Sequence, residues 1–172
     1  LSFRVQSLTG YFRGIREGLT AELGRTVKLG CGPRSAAFAP LCGYDFEQLA
    51  QFMDFLMPKH YFFHRGFDGF IGTVHRYSET LCEWNPSLSV AESLSVVEAL
   101  FGIVLPGVEE MVDFESALSP EFFEQVVTLE TKRALAAVDD PERIVPWLDT
   151  GRFPHDGDPM SARDLQMLLD TA

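Results

Sequence analysis

Leu8, Phe12, Ile15, Leu19 and Leu23 recur at spacings of four, three, four and four. That is one face of an amphipathic helix, and Gly24 in the left-handed region would close it. Thr26 to Gly30 is short, partly β-branched and bounded by breakers, which predicts a strand running into Cys31-Gly32-Pro33-Arg34. Residues 35–43 read as loop. Asp45 predicts the cap of a short helix through about Phe52, with Phe46, Leu49, Ala50 and Met53 inside. Phe55 to Tyr61 reads as a second strand in which Pro58 removes one ladder donor. A long connection follows over residues 62–88, helical near Thr73 to Cys82.

Ser89-Val90-Ala91-Glu92 is a capping box. The helix it starts carries Leu94, Val97, Phe101 and Val104, and Pro106-Gly107 closes it. Ser119-Pro120-Glu121 predicts another start, with Ser as N-cap and Pro in the first turn. Phe122, Val126, Leu129 and Leu135 are its expected apolar stripe. Arg143 to Leu148 reads as a third strand after a turn at residues 139–142, and Ser161 and Asp164 begin a last helix around Leu165, Leu168 and Leu169. Strands alternating with helices imply parallel pairing through right-handed crossovers. The expected fold is α/β: a single domain over residues 1–172, part of a (β/α)8 TIM barrel with a long helical insertion after the second strand. Because a barrel needs eight strands, it would be incomplete, cut at both ends, and prone to self-association through exposed barrel edges. The start at Leu1 and the stop at Ala172, in or just after a helical pattern, fit that expectation.

Composition narrows the partners. Hydrophobic residues make up 46% and charged residues 23%, and the net charge is -11. So acidic a chain argues against nucleic acid, which needs a concentrated basic face. No apolar run reaches the ~18 residues of a membrane span. Cys31, Cys42 and Cys82 are too sparse for a disulfide framework and read as reduced, mostly buried thiols, favouring a cytoplasmic setting. Gly30 and Gly32 make no dinucleotide fingerprint, and no cofactor is expected.

The chemistry gathers where strands end. Asp54 to Asp68, DFLMPKHYFFHRGFD, passes from an apolar run into Lys59, His60, Tyr61, His64, Arg65 and Asp68. The first strand offers Arg34, and the third ends at Asp149, followed by Arg152 and His155. In parallel sheets ligands sit beyond the carboxyl ends of the strands, so these groups would converge. A carboxylate such as Asp149 beside aromatic rings suits a catalytic or sugar-contacting role. The cations and hydroxyls suit sugar hydroxyls or a uronate carboxylate. The competing reading of Asp149 is a turn residue capping Gly151 or pairing with Arg152. His60 and His64 are four apart, but one ends a strand and the other lies in a loop, so helical metal spacing fails and no metal site is expected.

KLGCGPR, DFLMPKHYFFHRGFDG and IVPWLDTGRFPHDGDPM together resemble the later strands of bacterial glycoside-hydrolase-like TIM-barrel proteins. Several such families carry a D-x-L-x-P-K/M-x-Y strand, matched here by Asp54, Leu56, Pro58, Lys59 and Tyr61. The resemblance implies a glycoside hydrolase acting on oligosaccharides, with these strands about the fifth to seventh and the usual acid/base before Leu1. Asp149 stands where those families place a late glutamate nucleophile, a departure from a two-glutamate mechanism. Two alternatives stay open: a non-catalytic carbohydrate-binding or interaction module, and a metal-dependent hydrolase using His60, His64 and Asp149.

Overall fold

In the computed structural model, residues 1–32, 34–62, 69–115, 119–148 and 161–171 are described. Their elements run α1 (Ser2–Leu23), β1 (Gly30–Cys31), α2 (Phe46–Ala50), β2 (Phe55–Leu56), β3 (Lys59–His60), α3 (Phe70–Trp84), α4 (Val90–Phe101), α5 (Pro120–Phe122), α6 (Thr128–Leu135), β4 (Trp147–Leu148) and α7 (Ala162–Thr171). A π-helical turn, Phe123–Val127, joins α5 to α6.

The described chain is mostly helical and is not part of a TIM barrel. Its strands are two residues each, pairing as β1 with β2 and β3 with β4 in two small sheets. The predicted strand at residues 26–30 enters the ladder only at Gly30. Before that point its groups serve other partners: Val27 O accepts from Arg16, and Leu29 N donates to Asp54 Oδ2 at 2.7 Å. Pro58 splits the predicted strand Phe55 to Tyr61 into β2 and β3. Helices dominate because most of the chain between His60 and Arg143 carries caps and helical spacing rather than strand alternation. With the barrel goes the premise of self-association through its edges.

The chain forms two compact units, one of residues 1–59 and 132–147, the other of residues 60–131 and 148–172. In the first, β1 and β2 pair in parallel, Gly30 opposite Phe55, and Leu56 makes a parallel bridge to Ile144. Trp147 N donates to Pro58 O at 2.9 Å, carrying the same direction onward. The core gathers Cys31, Ala39, Phe46, Leu49, Met53, Leu56 and Ala134, with Phe12 of α1 packed against it. The capping signals hold: Gly24 ends α1 at φ 59°, and Asp45 Oδ1 accepts from Gln48 N at 3.0 Å.

At Gly43 the backbone comes close: a Cβ would meet the Arg4 main chain. Its φ is +86°, and a Cβ there would lie 2.7 Å from Arg4 O. Gly43→Ala therefore combines left-handed strain with a backbone clash and should cost about 2–3 kcal/mol in urea unfolding. Gly24→Ala, at φ +59° with nothing within 4 Å, is the comparison and should cost only about 1 kcal/mol.

In the second unit α3 packs on α4, and α7 on the π-helical turn. The Ser89–Glu92 capping box forms, with both reciprocal bonds. Ser119 accepts from Phe122 N, and Ser161 from Asp164 N, each at 3.1 Å. Helix α4 ends earlier than expected, at Gly102 with φ 60°, which leaves Val104 outside it. The stripe from residue 122 also differs. Buried positions come as doublets four apart: Phe122-Phe123, Val126-Val127, Glu130-Thr131, then Ala134. A period of four drifts around an α-helix, whose turn is 3.6 residues, and the wider π turn brings the first doublets back into line. Leu129 and Leu135 fall at the edge of the stripe, half-buried. Phe62, Phe70 and Phe122 close the core, with ring centroids 5.8–6.4 Å apart.

Candidate functional site

Successive residues of an extended chain point to opposite sides. From Leu56 to His60 burial alternates: Leu56, Pro58 and His60 are buried, Met57 and Lys59 half-buried. The basic cluster read from the sequence is divided by this alternation. His60 turns inward and is 1% exposed. Its Nε2 lies 2.9 Å from Thr131 Oγ1, and its ring 5.1 Å from that of Phe62. Among the described residues its Nδ1 has no hydrogen-bond partner. Burial holds the imidazole down to about 4. Glu130, beside Thr131 on the same stripe, is also buried. Tyr61 is half-buried and its carbonyl accepts from Phe70 N at 2.8 Å.

Lys59 belongs to a different setting. Its Nζ stands 5.9 Å from the centre of the Trp147 ring, and its carbonyl accepts from Ser35 Oγ at 3.1 Å. Trp147 is 42% exposed. A Cβ on Gly32 would sit 3.7 Å from the ring edge, so backbone borders the indole there. Arg34, half-buried, precedes Ser35 just past β1. The carboxyl ends of the first unit's parallel strands thus bring together Gly32, Ser35, Lys59 and Trp147. Trp147 was not anticipated as a site residue, because the run RIVPWL reads as an apolar strand leading to Asp149. Period-two alternation was the available signal: Ile144, Pro146 and Leu148 are half-buried while Val145 and Trp147 are exposed.

His64, Arg65, Asp68, Asp149, Arg152 and His155 lie outside the described residues. Asp149 directly follows β4 in the chain.

Asp54, first residue of the strand motif, sits at the amino end of β2. Its Oδ2 accepts from Leu29 N at 2.7 Å and from Arg16, whose Nε also donates to Phe52 O at 2.9 Å. The Arg16 hydrogen bond, then the Leu29 amide, hold its carboxyl below the usual range. Arg143 donates from Nη2 to Ala50 O and Met53 O, and from Nε to Asp54 O. These groups line a cleft of about 680 Å³ with Lys28, Asp140 and Glu142. Its guanidiniums are committed to main-chain carbonyls of Val27, Ala50, Phe52, Met53 and Asp54 and to the Asp54 carboxylate.

Among the described residues no three His, Cys, Asp or Glu side chains are grouped to hold a metal ion. Cys31 is buried, which pushes its thiol up to about 11; Cys82 is half-buried and Cys42 exposed. No helix among the described residues is long and apolar enough to cross a membrane. No family model, curated protein or solved structure matches the chain, so the resemblance to glycoside-hydrolase-like proteins rests on its own residues.

Proposed function

We propose that the chain binds carbohydrate at the carboxyl ends of the first unit's parallel strands, with Trp147 as the stacking surface. The observation that supports this reading is a half-exposed indole at that end of the strands, with Lys59 above it. A flat apolar ring accepts the axial C–H face of a sugar, and polar groups around it take the hydroxyls. An exposed cation–π contact is worth about 0.5–1 kcal/mol, little enough for a ligand to displace. Lys59 then leaves the ring and meets a hydroxyl or a uronate carboxylate. Hydrolysis is the further reading, with Asp149 as catalytic carboxylate one residue beyond β4.

Trp147 fluorescence reads this directly in a Trp84→Phe background, since the chain has two tryptophans. Titration with neutral galacto-oligosaccharide and with oligogalacturonate should perturb the emission. Trp147→Ala, followed by calorimetry, should weaken binding about tenfold or more, the loss of one aromatic contact. Lys59→Met should weaken the uronate more than the neutral sugar. Binding that is indifferent to Trp147→Ala, or no binding of either sugar, sinks the reading. Reducing-sugar release that Asp149→Asn silences would make the protein a hydrolase; binding without release would make it a binding module.

A further inference from the structure

A second cleft, of about 360 Å³, lies in the unit formed by residues 60–131 and 148–172. One wall is α3, with Ile71, His75, Arg76 and Glu79; the other is the 3-10 turn Met111–Glu115, with Met111 and Phe114. The His75 and Phe114 rings are 6.2 Å apart, so the far wall is aromatic and apolar. Arg76 and Glu79 are three apart on one helix, a spacing at which opposite charges usually meet. Here they do not pair. Among the described residues Arg76 makes no hydrogen bond or ion pair, and the contact of Glu79 is with His75 Nδ1 at 3.8 Å, longer than a hydrogen bond. A cation and an anion thus stand side by side at the rim of an apolar cleft, each with capacity for a partner.

We infer that this cleft binds a free amino acid with an apolar side chain, as a zwitterion. A guanidinium takes a carboxylate in a two-pronged bond. Glu79 takes the α-ammonium, and the side chain lies against Met111 and Phe114. A cleft of about 360 Å³ falls in the size range of small-molecule sites. A purely anionic or purely cationic ligand would leave one rim charge facing its like. This inference is independent of the carbohydrate reading, because it uses none of the same residues.

The test is calorimetric titration of the whole chain with L-phenylalanine, its amide and its N-acetyl derivative, which carry both charges, only the ammonium and only the carboxylate. L-Phenylalanine should bind with a dissociation constant of about 1 mM or tighter, and each derivative about tenfold more weakly. Arg76→Gln should erase the preference over the amide, and Glu79→Gln the preference over the N-acetyl form. Both side chains are exposed at the rim, so neither exchange disturbs packing. Three probes of equal affinity, variants that bind like the parent, or no heat from L-phenylalanine at about 10 mM would each overturn the inference.

Discussion

Phe122→Ala should destabilise the protein by about 3–5 kcal/mol, a large part of the whole stability of an ordinary domain. Phe122 is fully buried. It meets Phe62, Phe70 and Phe123 edge to face, at interplanar angles of 85°, 87° and 86°. Truncation removes the ring's own burial and those three contacts, each worth about 0.5–1.5 kcal/mol beyond its area. It also leaves a cavity that rigid neighbours cannot collapse into. Equilibrium urea unfolding followed by circular dichroism measures the loss. Phe3→Ala is the reference: at 79% exposed it should stay within about 0.5 kcal/mol of the parent. Equal costs at the two positions would mean that the aromatic core is not packed as described.

Acid should weaken the same unit through His60. Its folded value of about 4 lies below the ordinary 6.5, because burial disfavours the charged ring. The unfolded chain therefore binds the proton more readily than the folded one. The stability that the neutral ring contributes is complete above pH 6.5 and is lost as pH falls toward 4. A difference of about 2.5 pH units corresponds to about 3 kcal/mol. Urea midpoints taken across that window should fall steeply for the parent and much less for His60→Gln, which keeps a polar partner for Thr131. Parallel slopes for the two proteins would refute the assignment. Asp54 acts in a different window: with its carboxyl held below 3.8, its contribution is present above that pH and lost only in stronger acid. The two groups can therefore be separated by pH alone.

What could be read from the sequence was mostly local. Asp45, Ser89 and Ser119 read as caps, because an N-cap needs only a short polar side chain and the next turn of backbone. Strand length was not legible. Whether Thr26 to Leu29 joins a ladder depends on groups elsewhere: Arg16 and Asp54 take the main-chain partners that a neighbouring strand would otherwise take. The barrel expectation failed for the same reason, since alternating short apolar runs do not say how many strands pair. The candidate site divided in a similar way. Lys59 was found by composition, but His60 was grouped with it although adjacent extended residues face opposite ways. Glu130 and Thr131 were missed because the stripe was read at a period of 3.6, whereas the doublets of FFEQVVTLET repeat at four.

The Arg143 contacts have a temporal consequence. Ala50 O, Met53 O and Asp54 O receive their donor from a residue translated some ninety positions later. Leu56 waits as long for Ile144, its neighbour in the sheet. During synthesis, residues 1–59 leave the ribosome with these carbonyls bonded only to water and one edge of β2 bare, while the whole intervening segment is made. Non-local closure of this kind slows folding, and a bare strand edge invites pairing with other chains. Residues 1–59, about a third of the chain, therefore stay open until Arg143 emerges and closes them.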